Sequence, residues 1–471
     1  MATSPGSVGW LSLCALGVVG CFTDPPTVST TDSGSETGPV TSTNPGTTEV
    51  VDESSGSTAG GGTTQSETSA VDTTAGESSG DDTTTTGTNE GPCADPATAS
   101  YPGTQGELDI LMVVDNSSGM GFVQANLGAA MDSLIARLDN EGLDYRIAVT
   151  TTDVGNPWCV STDPEAGDFV ASTCRQRLNE FELPGEPVFD VSDVACTDIC
   201  PHPTISLLPT PTDLDPTPQA RPWIERIDGV TNLPEGVQPG EALRCFVPGG
   251  IDGCSFERPL EAMRMALLRA QINGEPNYGF LRPEADLLVV IVTDEYDCSS
   301  DPDWDTIFLP DGNRVFWEDP FTLGPSSAVC WNAGVECTGG PGMYDECHAQ
   351  NYDVDGNVSG PNDAVLHDLG RYTDLLADLD ADNGAGSVHL AVMAGFPATG
   401  DIVYADSPNV DEQLDYAVAP GCTGENIVAY PPVRLREVAE FAALPGIDNQ
   451  YSVCEPMLCE AFEAMIDGVV D

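Results

Sequence analysis

From about residue 107 onward the chain alternates short apolar runs with segments whose apolar residues recur at helical spacing. The runs Glu107–Asp115, Tyr145–Thr151, Asp286–Thr293, His389–Phe396 and Gln450–Val453 read as strands. Between them, Phe122–Leu138 carries Phe122, Leu127, Met131, Leu134, Ile135 and Leu138 on one helical stripe. Glu257–Ala270 repeats the pattern with Leu260, Met263, Leu267 and Leu268, and Asp363–Leu379, Val433–Leu444 and Met457–Val469 continue it. The run over 286–293 is the most continuously apolar, as befits a strand covered on both faces at the centre of a parallel sheet. The alternation predicts an α/β fold: a central, mostly parallel sheet flanked by helices.

Two stretches break the rhythm, near 154–250 and 298–362. Both are rich in Pro, Gly and Cys, and both read as disulfide-stapled loop insertions. The chain has sixteen cysteines, fourteen of them from Cys93 onward, enough for up to seven bridges and a sign of an oxidising compartment. A competing use is zinc, since Cys196, Cys200 and His202 have loosely suitable spacing.

The first ninety-odd residues have a different texture. Val8 to Gly20 is an apolar stretch too short to span a bilayer and of the length of a signal-peptide core, so residues 1–20 read as an export signal. It ends in small residues before Cys21, a pattern similar to the lipobox of bacterial lipoproteins, which implies lipid attachment at Cys21. Residues 2–20 depart from that pattern in lacking Lys and Arg. Residues 21–92 are dominated by Ser, Thr, Gly and acids, cannot bury enough apolar surface to fold, and read as a disordered stalk. Its flexible part would reach roughly 40–50 Å. The remaining 93–471 form the folded part.

Charge narrows the partners. The formal net charge is −61, every one of the fifteen basic residues is arginine, and only twelve of the 76 acids lie in 22–91. A folded part this acidic disfavours nucleic acid and anionic membrane surfaces. It suits divalent cations, a basic partner or a salty habitat, and solubility in high salt accounts for much of it without any ligand.

In open α/β sheets ligands collect beyond the carboxyl ends of the strands. Asp115 follows the first strand in Asp115-Asn116-Ser117-Ser118-Gly119, and Asp294 follows the strand over 286–293. Carboxylates and hydroxyls on that edge are hard donors for Mg²⁺, Ca²⁺ or Mn²⁺; the structural alternative is a helix cap and a turn. These two segments, with the strand–helix order, resemble von Willebrand factor A domains. The stalk, the run over 292–299, Gly253–Ala262 and Ala429–Leu435 look like the large, cysteine-rich bacterial lipoproteins that carry this domain.

The resemblance implies a Rossmann-like sheet with a metal-ion-dependent adhesion site, built on Asp-x-Ser-x-Ser, a second-loop hydroxyl and a third-loop Asp. Asp115 and Ser117 match the first two positions, while Gly119 stands where the second serine belongs. Ser255 is the candidate second-loop hydroxyl and Asp294 matches the third loop. Ser118, Glu295 and Asp297 are nearby donors that could compensate. The family's ion keeps an open position for a partner's carboxylate.

A second cation loop is suggested by Asn351, Asp353, Asp355 and Asn357 around Gly356, the spacing of a calcium loop's first half. Catalysis finds no motif: none of the four histidines sits in His-Glu-x-x-His, and no Gly-x-Ser-x-Gly follows a strand. The expectation is therefore a non-enzymatic protein, exported and lipid-anchored in the envelope at the outer membrane or cell surface. Its A-type domain would bind a protein through a divalent cation. A metal-independent structural envelope protein with calcium-stiffened loops is the alternative.

Overall fold

The computed structural model describes residues 105–470 and Pro102, apart from 186, 383–386 and 444–445. The export signal, Cys21, the stalk and Cys93 lie outside the described residues.

Seven strands form the main sheet: β1 (Gly106–Val114), β2 (Leu143–Thr151), β3 (Ile224–Ile227), β4 (Val230–Thr231), β5 (Asp286–Val292), β6 (Val388–Ala394) and β7 (Gln450–Ser452). Their order is β7-β6-β5-β1-β2-β3-β4. The five from β7 to β2 run parallel, and β3 and β4 add an antiparallel edge. Each strand expected from the apolar runs is present, shifted by a residue or two at its ends. The two edge strands were not foreseen, because they lie inside the first expected insertion. β3 pairs antiparallel with β2, and across that pairing Arg146 Nε of β2 lies 3.1 Å from Glu225 Oε2 of β3, both buried, an arrangement that leaves a polar alternation in the sequence.

Side-chain alternation along β1 divides two cores. Leu108, Ile110, Met112 and Val114 face one layer, which holds α1 (Gly121–Glu141), α2 (Pro239–Phe246) and α8 (Cys459–Val470). Leu111 and Val113 face the other, which holds α3 (Pro259–Arg269), α5 (Gly370–Asp382) and α7 (Val433–Phe441). Each such leucine or valine contributes about 1.5–3 kcal/mol by burial, so a one-residue slip of β1 would expose both sets. The helix α1 ends where Gly142 adopts φ 71° and returns its amide to the carbonyls of Asp139 and Leu138.

A third core lies over the loops that follow the strand ends. It packs Phe256, Tyr296, Phe308, Trp317, Trp331 and Tyr430 together with the Cys298–Cys330 bridge. It includes α4 (Ala328–Gly334), and α6 (Val410–Tyr416) packs against that helix. Disulfides also join Cys159 to Cys254, Cys174 to Cys196, Cys200 to Cys245, Cys337 to Cys347 and Cys422 to Cys454, and Cys459 is bonded too. The zinc alternative fails here: the sulfurs of Cys196 and Cys200 are spent in separate bridges, and His202 Nε2 lies 3.1 Å from Glu241. Among the described residues no helix is long and apolar enough to cross a membrane.

Candidate metal centre

Parallel register brings three strand ends into one plane. Val114 pairs with Thr151 on one side and Val292 on the other, so Asp115, Thr152 and Thr293 emerge side by side. The Asp115 amide donates to the Val292 carbonyl at 2.9 Å, extending the ladder by one bond. The chain then turns sharply: the Ser117 amide donates to Asp115 Oδ1 at 2.7 Å, and the Thr293 hydroxyl donates to Asp115 Oδ2 at 2.5 Å. Ser117 Oγ lies 3.4 Å from Asp294 Oδ1. Ser117 therefore contacts both Asp115 in its own loop and Asp294, 177 residues away.

The loops are held from behind. Gln124 of α1 donates from Nε2 to the carbonyls of Asp115 (2.9 Å) and Gly250 (2.7 Å), clamping the first loop to the segment before α3. That segment is further tied by the Gly253 amide to the Asn116 carbonyl, by the Arg258 amide to the Thr152 carbonyl, and by the Cys159–Cys254 bridge. The Tyr430 amide donates to the Asp294 carbonyl at 2.8 Å.

The remaining expected donors divide. Ser118 and Ser255 are exposed and line an open polar cleft of about 440 Å³, with Trp158, Asp252, Asp415 and Tyr416. Ser255 is thus not brought into the buried group. What the second loop places there is Glu257, fully buried, taking the Thr152 hydroxyl on Oε2 and leaving Oε1 without a hydrogen-bond partner. Glu295 also belongs to the group, buried beneath the cleft. Asp297 does not. Its carboxylate accepts from the Leu260 amide and the Ser299 hydroxyl, and it meets Arg434 Nε at 3.0 Å. It holds the first turn of α3 and neutralises a buried arginine, so its charge is already matched within the fold.

The Gly119 departure also acquires a cause. A Cβ built at Gly119 would overlap Asp294 Oδ2, with Cγ only 3.1 Å away. The glycine leaves the space that the Asp294 carboxyl occupies.

The electrostatics are one-sided. Burial raises Asp115, held back by its hydrogen bonds from Thr293 and Ser117. Asp294 and Glu257 are pushed well above the usual carboxylate range by burial and then by the Asp115 charge. Glu295 is raised by burial, then by Asp294 and Asp115. Among the described residues, no arginine or histidine figures among the main influences on any of the four.

The donor set fits a hard divalent cation: carboxylates and hydroxyls, an orphaned buried oxygen on Glu257, and uncompensated negative charge. Among the described residues no three His, Cys, Asp or Glu side chains already form a metal cage.

The expected calcium loop is built differently. Asp353 Oδ1 accepts from the amides of Asp355 (3.0 Å) and Asn357 (2.9 Å), while Gly356 sits at φ 80°. Asn351 donates instead to Asp368 at 2.6 Å. Asp353, Asp355 and Asn357 thus share a turn that closes the Tyr352–Val358 bridge, while the Asn351 side chain is directed to Asp368 instead of joining them.

No protein-family model and no curated protein matches the chain. Two crystal structures of the pilus adhesin SpaC from Lactobacillus rhamnosus GG, one in an open conformation, are similar in part. Their TM-scores are 0.30 and 0.29, at 9% and 11% identity over 78% of this chain. The match spans 30% of the length of those structures. So weak a likeness leaves the functional reading to the site.

Proposed function

We propose that this is an exported, lipid-anchored surface protein, without catalytic activity, whose sheet domain is of the von Willebrand factor A type. It holds a divalent cation (Mg²⁺, Ca²⁺ or Mn²⁺) with Asp115, Ser117 and Asp294 and binds a protein partner through it. The supporting observation is the buried set of Asp115, Asp294, Glu257 and Glu295 without a basic partner. Carboxylates so placed hold either protons or a cation. The bound ion would act as a Lewis-acid seat for an oxygen of the partner, a carboxylate in the manner of the family. The cleft beside Ser118 and Ser255 gives the partner's approach route.

The test is calorimetric titration of Mg²⁺, Ca²⁺ and Mn²⁺ into chelated protein, wild type beside Asp115→Ala. Saturable binding by the wild type that the variant loses supports the reading. No binding by either, or equal binding by both, removes it. Intact mass without lipid on Cys21 removes the anchor from it.

A further inference from the structure

We propose that Glu257 is a carboxylate ligand of the same ion, replacing the second-loop hydroxyl that the sequence sought at Ser255. This rests on the divalent-ion reading and goes beyond it by assigning a third acid to the coordination. Glu257 lies just before α3, on the loop whose amide at Arg258 donates to the Thr152 carbonyl at the end of β2. Thr152 leaves the sheet directly beside Asp115. The Thr152 hydroxyl holds Oε2 of Glu257, and the Glu257 carbonyl accepts from the Cys298 amide at 2.7 Å, tying the residue to the third loop as well. Glu257 is therefore positioned from the end of β2 and from the third loop.

Its Oε1 is the decisive atom. The side chain has no exposure, and Oε1 has no hydrogen-bond partner. Leaving a buried carboxylate oxygen unpaired is costly unless something else occupies its lone pairs. Among the described residues no basic side chain figures among the main influences on Glu257, and Ser255 is exposed in the cleft. A carboxylate reaches further than a hydroxyl and offers two oxygens, so it can serve as a ligand while its other oxygen stays on Thr152. The ion would then be held by Asp115, Asp294 and Glu257, three charges from this chain alone. The hydroxyl missing at Gly119 is offset by a charge at position 257.

Terbium luminescence of the full chain tests this, with Tb³⁺ as probe and Ca²⁺ as competitor, on wild type, Asp115→Ala and Glu257→Gln. Even groups that merely support a ligand change metal affinity by about 10–100-fold. Glu257→Gln should therefore weaken binding at least ~10-fold while far-UV dichroism is unchanged. Wild-type affinity in Glu257→Gln, with binding lost in Asp115→Ala, overturns the Glu257 assignment and leaves the ion reading standing. No saturable signal from the wild type removes both. If Glu257→Gln lowers the folded fraction, Glu257→Asp carries the test: its charge is the same and its reach shorter. Weaker binding supports the assignment and unchanged binding overturns it.

Discussion

Gly119→Ser is the substitution that sequence logic recommends, because it restores Asp-x-Ser-x-Ser and should tighten the ion. The structure predicts the opposite. The new Cβ would overlap Asp294 Oδ2 and press on Cγ at 3.1 Å. Asp294 is only 5% exposed, so its carboxyl must turn within a packed site. An off-rotamer side chain costs about 0.5–1.5 kcal/mol, and losing the long contact from Ser117 adds up to about 1 kcal/mol. A total of roughly 1–2 kcal/mol corresponds to about a 5–30-fold loss of ion affinity if all of it falls on the bound state. Gly119→Ala separates the two effects, since it has the same Cβ and no hydroxyl. Urea denaturation gives the stability loss, and Ca²⁺ titration of both variants gives the affinity. Both should bind more weakly than wild type, and by similar amounts. Tighter binding by Gly119→Ser than by wild type, with Gly119→Ala weakened, would refute the packing argument and show that position 119 simply lacks a ligand.

Two further predictions follow from the same geometry. Asp297→Ala strands Arg434 in a site where both partners have at most 1% exposure, and should cost about 3–5 kcal/mol in urea denaturation; once folded, its Ca²⁺ affinity should match wild type, and a large loss would make Asp297 a ligand after all. Chelated protein should lose stability as pH rises from about 5 to 8. The raised acids Asp294, Glu257 and Glu295 are more protonated folded than unfolded, so their stabilising contribution is full below the unfolded carboxylate range and fades as pH climbs through their folded values. His367 and His389, lowered by burial, act in the opposite sense, so the informative quantity is the melting temperature of wild type minus that of Asp294→Asn. Each titrating group gives a slope of up to about 1.4 kcal/mol per pH unit. A difference that is flat across the interval, or one that Ca²⁺ fails to flatten, contradicts the reading.

The sheet was legible because its strands are buried on both faces. A run such as Asp286–Thr293 has little else it can be, and the stripe from Phe122 to Leu138 has only one face that a helix can bury. The antiparallel edge was not legible. Ile224–Ile227 carries Glu225 and Arg226 in four residues, and Glu225 is matched inside the fold by Arg146, 79 residues away. A buried charge pair looks like a solvated loop until its partner is known.

The site divides in the same way. Asp115 and Asp294 were readable because strand ends locate them, and parallel register does the rest. Glu257 was not legible because the family pattern calls for a hydroxyl in the second loop, while what sets Glu257 apart is its burial beside Thr152, two residues from the exposed Ser255. Asp297 was overvalued for the converse reason. Proximity in sequence to Asp294 says nothing about direction, and two residues of loop suffice to turn its carboxylate toward Arg434 and the amino end of α3. The same reasoning applies to Asp353, whose spacing resembles a calcium loop but whose oxygens are taken by the amides of its own turn. An acid is available to an ion when its charge is not already matched by a cation of the fold. By that criterion Asp297 is closed by Arg434, whereas Asp115 and Asp294 carry unmatched charge and a second lone pair on each hydrogen-bonded oxygen, and Glu257 adds a buried oxygen with no hydrogen-bond partner.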